Sequence, residues 1–191
     1  MSDQHALPGT TRPFAISTPA KRPAYAVGPD TYSFVMTGKD TAGAYAVIDM
    51  LVPPGGGPMP HAHEFEEMFY VLEGEVEAFC HDARTTVAAG AAINIPGWAP
   101  HVFKNLSATV PARMFCVVAK AGLEEQFAEI GIPVATRTTP PPPPDPAKQA
   151  EMAKKMPAIA ARYNAKILPP DTFDHLMTAA ELAIVKLANG K

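Results

Sequence analysis

The chain has 191 residues, enough for one domain that buries most of its apolar surface without a disulfide or a metal to hold it together. Its 47% hydrophobic content excludes a wholly disordered chain, and 18% charged residues with a net charge of −3 leave no electrostatic footprint for nucleic acid or an anionic membrane. The 22 prolines are more than twice the average share of roughly 5%, and their uneven placement marks where strands can run.

Residues 1–30 carry five prolines, no basic stretch followed by an apolar one, and read as an N-terminal extension. No run of apolar residues reaches membrane-spanning length, so a cytoplasmic protein is expected. Residues 31–120 read as the folded barrel. Proline is absent from His61 to Ile95, and because proline cannot donate to a ladder, that window is where central strands fit. Short β-rich runs at 32–36, 44–52, 67–72, 76–80, 92–95, 101–103 and 113–119 are separated by glycine and proline turns. Many short strands at this spacing predict an all-β sandwich or barrel. Cys80 and Cys116 fall on such runs and are expected to be reduced.

Residues 121–191 change character. Segment 122–131 is a short helix with Leu123, Phe127 and Ile130 on its apolar face, and prolines 140–144 form a stiff spacer. Segment 147–164 is a helix interrupted at Pro157. Segment 171–188 is a helix started by Asp171, with Phe173, Leu176, Met177, Ala180, Ile184 and Leu187 near one face, and ended by Asn189-Gly190. These helices pack on the barrel or on a partner subunit. Together with the outward alternates Met68, Tyr70 and Leu72 they predict a homodimer.

The chemistry concentrates in His61-Ala62-His63-Glu64-Phe65-Glu66-Glu67 and in His101. On a regular strand His61, His63 and Glu67 share one face, whereas Glu64 and Glu66 do not belong to the set. Three imidazoles and a carboxylate suit one divalent transition ion, Ni, Mn, Fe, Co, Cu or Zn, and leave one or two positions open. His5, His81 and His175 lack ligand spacing, and Asn105 reads as a turn residue.

The spacings Gly55-x5-His61-x-His63-x3-Glu67-x6-Gly74 and Gly90-x5-Pro96-x4-His101-x3-Asn105 resemble the two motifs of the cupin superfamily, with fifteen residues between them. One position departs: Trp98 stands where the second motif has a glycine, which is shifted to Gly97. The resemblance implies an all-β jelly-roll barrel, the cupin double-stranded β-helix, with His61, His63, Glu67 and His101 as metal ligands. The stretches 37–43 and 52–74 and the tail from Gly122 to Pro169 are further similar to single-domain bacterial quercetinases.

That likeness implies a metal-dependent dioxygenase that cleaves a flavonol or related phenolic enol with O2, with Glu67 taking the enol proton. A flat polyphenol calls for an aromatic wall. Phe65, Phe69 and Phe103 share parity with the ligands, and Tyr45, Ile95, Trp98, Met114 and Phe115 are further rim or wall candidates, with ordinary barrel core as the competing reading for each. Two other classes use the same ligands: a non-oxidative cupin enzyme (isomerase, lyase or decarboxylase), and a non-catalytic small-molecule binder.

Overall fold

The computed structural model describes residues 12–143 and 145–188, so His5 and the expected helix stop at Asn189-Gly190 lie outside the described residues. The barrel is built from β1 (Ala24–Val27), β2 (Asp30–Met36), a helical turn α1 (Gly38–Thr41), β3 (Tyr45–Val52), β4 (His61–His63) and β5 (Glu66–Glu73). It continues through β6 (Glu75–Cys80), β7 (Ala83–Ala88), β8 (Ala92–Ile95), β9 (His101–Lys104) and β10 (Ala112–Ala119). The tail adds α2 (Leu123–Ile130), β11 (Ile132–Val134), α3 (Pro146–Arg162), β12 (Ala165–Ile167) and α4 (Ala179–Ala188).

The strands form two antiparallel sheets, one ordered β11-β1-β2-β3-β10-β5-β8 and the other β12-β4-β9-β6-β7. This is the expected all-β jelly roll. The core lies between the sheets and follows strand alternation. On β10, Ala112, Met114, Cys116 and Val118 are fully buried while Arg113, Phe115 and Val117 face outward, and on β3 Ala46, Ile48, Met50 and Val52 are the inward set.

Five strands were not anticipated. Three-residue β4 and four-residue β1 are too short to show periodicity, and β7 has a single buried residue. Strand β11 contains Pro133 and sits at the edge of its sheet, the place where a missing N–H is tolerated. The expected helix over 171–188 is broken. A 3₁₀ turn (Asp174–Leu176) precedes α4, which starts only after Thr178 and Glu181 cap one another, Thr178 N–H donating to Glu181 Oε2 at 2.7 Å and Glu181 N–H to Thr178 Oγ1 at 3.3 Å.

The tail folds back on its own barrel. Strand β12 pairs with β4, placing Ala165 opposite His63 and Ile167 opposite His61, and Phe173 is buried against Phe79 and Val102. Arg84 of β7 holds α4 through both oxygens of Glu181, at 2.6 and 3.1 Å, and also donates to the Leu176 carbonyl. Gly55 lets α4 approach: a Cβ there would stand 2.5 Å from the Ala188 Cβ and 2.6 Å from the Ile184 carbonyl oxygen.

The loop that delivers β4 is pinned from both sides by buried charge. Asp30 accepts from Gly57 N–H at 3.1 Å and from the Tyr32 hydroxyl at 2.8 Å, while Lys104 Nζ donates to the carbonyls of Gly57 and Pro58 at 3.0 and 2.7 Å. Burial pushes the Asp30 carboxyl up to about 6 against the opposing effects of Tyr32, Lys104 and Gly57, and burial lowers Lys104 to about 8. The folded chain therefore keeps a proton on Asp30 that the unfolded chain, with an ordinary carboxyl near 4, has already shed. This contribution to stability is full below about pH 4 and is lost as the pH rises through about 6. Asp30→Asn removes it, so the stability of that variant relative to wild type is expected to rise between pH 4 and 7 in urea titrations. A difference independent of pH would contradict the assignment.

Candidate metal centre

Strands β4 and β9 are neighbours, with His61 directly opposite His101, and Glu67 comes from β5 in the facing sheet. His61, His63 and Glu67 thus do not share one regular strand, contrary to the parity reading. The chain bends at Glu64 and Phe65 and changes sheets, so the cluster converges across the barrel. The ligand atoms of His61, His63, Glu67 and His101 lie within 4.8 Å of one another, and His63, Glu67 and His101 are almost wholly buried while His61 is half-buried. Glu64 and Glu66 point to solvent, bonded by Asn164 and Asn94.

The imidazoles are oriented by the backbone. A carbonyl two residues away faces each Nδ1: Met59 at 2.8 Å from His61, Phe65 at 3.0 Å from His63 and Ala99 at 2.8 Å from His101. A carbonyl can only accept, so each Nδ1 carries the proton and each Nε2 of a neutral ring presents a lone pair. The Nε2 atoms of His63 and His101 both stand 3.1 Å from Glu67 Oε2, an acceptor facing acceptors unless a proton or a cation lies among them. A donor set of this kind fits a divalent ion.

Burial and the neighbouring His101 lower His61 to about 3, which keeps its ring neutral as a metal ligand must be. Burial would raise Glu67, but the adjoining His101 and His63 rings outweigh it and hold the carboxyl well below its usual range. The remaining oxygen, Oε1, accepts from the Cys116 thiol at 3.0 Å. Cys116, buried and free like half-buried Cys80, was not singled out for the site. Its only sequence signal is its inward parity on β10.

The cluster opens on a cavity of about 550 Å³ lined by His61, His63 and Glu67 together with Met50, Phe69 and Phe103. Of the proposed wall residues, Phe69 and Phe103 line it, packed edge to face at 5.1 Å. Phe65 instead stacks on the His63 ring at 3.9 Å, buttressing a ligand. Ile95 and Met114 are inward but belong to the packed core, and they are not among the lining residues. Tyr45 and Trp98 are 45% and 55% exposed, Phe115 sits on the outward face of β10, and none of the three is among the residues lining this cavity. The other half of the lining was not foreseen: it comes from the tail, with Leu123, Gln126 and Phe127 of α2, Met156 of α3, Ile167 of β12 and Leu182 of α4.

The departure at Trp98 has a local cause. A Cβ on Gly97 would run into the Glu64 carbonyl oxygen, so the glycine is needed there, and Trp98 takes the left-handed conformation (φ +62°) while donating its N–H to His63 O at 2.6 Å. Asn105 is a turn residue, its amide donating to the Val52 and Val110 carbonyls. His81 and His175 lie outside the cluster.

Among known proteins, the family described as Cupin domain matches residues 48–118, which contain all four clustered residues. No curated protein matches the chain. Among solved structures, the chain is similar to an RmlC-like cupin from Shewanella frigidimarina, with 15% identity and a TM-score of 0.50 over 58% of this chain and 94% of that one. It is also similar to KdgF from Halomonas sp., with 14% identity and a TM-score of 0.51 over 58% of this chain and 97% of that one. A third likeness is to oxalate decarboxylase from Bacillus subtilis, 18% identical with a TM-score of 0.51, where 59% of this chain spans only 30% of the other. At these identities the likeness is one of fold. Residues 48–118 thus match the cupin domain family, and the two sheets that carry them form a cupin jelly-roll fold.

Proposed function

We propose that the protein is a metal-dependent dioxygenase that opens a flavonol or related phenolic enol with O2. The observation that carries this reading is the union of three imidazoles and a carboxylate with an apolar, aromatic-walled cavity of about 550 Å³, within the 300–1,000 Å³ typical of small-molecule sites. His61, His63, Glu67 and His101 would hold one divalent transition ion. When bound, that ion supplies the Lewis acidity that lowers the pKa of an enol oxygen.

The chain's own residues do the rest. Cys116 anchors Oε1 of Glu67, leaving Oε2 as the oxygen that takes the enol proton. Phe69 and Phe103 receive the flat ring and exclude water from it. In the overall reaction both atoms of O2 enter the ring-opened ester and one ring carbon leaves as carbon monoxide. A non-oxidative cupin enzyme or a non-catalytic binder would use the same ligands, but a small dianion such as oxalate gains nothing from apolar walls of this extent. The outward Met68, Tyr70 and Leu72 of β5, with Tyr70 39% exposed, support the homodimer as part of the same proposal, in the cytoplasm.

The test is anaerobic reconstitution with each metal in turn, followed by quercetin and air. One mole of carbon monoxide per mole of O2 consumed is expected with at least one metal. Stoichiometric metal binding with no turnover by any of them would sink the dioxygenase.

A further inference from the structure

Helix α2 carries an anomaly in its inward face. Leu123, Phe127 and Ile130 form the apolar stripe, and position 126 falls in the same stripe at the i+3 place, yet it is a glutamine. Gln126 is 6% exposed and lines the cavity on which the histidine cluster opens. Its backbone N–H bonds to the Gly122 carbonyl, but among the described residues nothing hydrogen-bonds to its side-chain amide. The buried charged and amide side chains elsewhere are tied down. Asp30, Asp49, Lys104, Asn105 and Glu124 are all buried, and each has its polar atoms bonded to named partners. Because no wholly buried side-chain polar atom among the described residues lacks a partner, the Gln126 amide atoms reach open space at the cavity it lines, where an apolar residue would continue the stripe.

Resting on the phenolic-enol reading above, we infer that Gln126 is a specificity-determining residue whose amide hydrogen-bonds a phenolic hydroxyl of the substrate, a second oxygen besides the enol held at the metal cluster. The substrate is then a flat apolar skeleton with two separated polar points. Phe127, the next residue, packs on Tyr32 with ring centroids 4.6 Å apart, which fixes the helix against the barrel and holds the amide in place. The amide both donates and accepts, so it can serve a hydroxyl in either sense. A ligand that fills the cavity but lacks that hydroxyl covers the amide and leaves it unpaired, which is how a polar group in a site discriminates.

Quercetin and 3-hydroxyflavone share the enol and the adjacent carbonyl but differ in ring hydroxyls, so the metal-loaded full chain is titrated anaerobically with each. Gln126→Met is expected to lower the ratio of quercetin to 3-hydroxyflavone affinity about tenfold, the effect of one neutral hydrogen bond, at unchanged metal content. Gln126→Ala reads the same ratio should the methionine variant fail to fold. General damage to the cavity weakens both probes alike and does not move the ratio. A ratio within twofold of wild type in both variants overturns the role of Gln126, even where carbon monoxide is released. A ratio that the substitutions flatten, with no carbon monoxide from any metal form, overturns the dioxygenase and keeps Gln126. No binding of either flavonol overturns both.

Discussion

His101→Ala is expected to weaken divalent-metal binding at least 100-fold and to abolish turnover while the metal-free barrel keeps its stability to within about 1 kcal/mol. The asymmetry follows from the donor set. In the metal-free protein the Nε2 atoms of His63 and His101 both confront Glu67 Oε2 at 3.1 Å, and removing one ring removes an acceptor from an acceptor cluster. The loss of ring packing works the other way, so the two effects partly cancel. With metal present the balance changes. A ligand that binds only the folded state stabilises it by about 4 kcal/mol at a thousand times its dissociation constant, and that increment belongs to wild type alone. Melting curves with and without each metal therefore separate the two: wild type shifts strongly upward and His101→Ala does not. Glu67→Gln keeps size and one acceptor oxygen, and is expected to retain partial metal binding and lose the rate, because its amide no longer takes a proton. A shift on metal addition in His101→Ala equal to that of wild type would remove His101 from the ligand set.

The four clustered residues were legible because their spacing is local: His61, His63 and Glu67 lie within seven positions, and the proline-free window identified the strands around them. Their geometry was not. A parity argument places them on one strand, whereas the bend at Glu64 and Phe65 sends β4 and β5 to different sheets. The strands with clean alternation, β3 and β10, were found nearly to the residue, since alternate burial leaves its mark in sequence. The wall was the least legible part. Parity distinguishes inside from outside on a strand, which served for Phe69 and Phe103, but it does not tell cavity from core, and Ile95 and Met114 turned out to be core. The tail's share depends on contacts distant in sequence: β12 pairing with β4, and α4 seated on Gly55 and tied to Arg84. Nothing in a helical periodicity says which barrel face it will cover.

Asp49→Ala is expected to lower stability by about 3 kcal/mol, roughly 10 °C in Tm for a chain of this length, without touching the metal site. Asp49 lies midway along β3 and by alternation faces away from the core, yet it is 2% exposed. Three arginines from distant parts of the chain converge on it. Arg113 of β10 donates from Nε and from an Nη at 3.0 and 2.9 Å, and Arg137 from the segment after β11 and Arg22 from the segment before β1 approach Oδ2 at 3.4 and 3.9 Å. One carboxylate thereby ties the approach to the barrel and the exit from β11 to a central strand pair. Removing it leaves three guanidiniums facing one another, with Glu73, largely exposed, as the remaining acid bonded to Arg113 among the described residues. The repulsion distinguishes this site from an ordinary ion pair, and Asp49→Asn, isosteric but neutral, should lose most of the same stability. Adding Arg137→Ala to Asp49→Ala should then recover part of the loss, because one repelling charge is gone, giving a favourable coupling energy in the double-mutant cycle. Strictly additive single and double variants in urea titrations would show that the arginines act independently of the carboxylate.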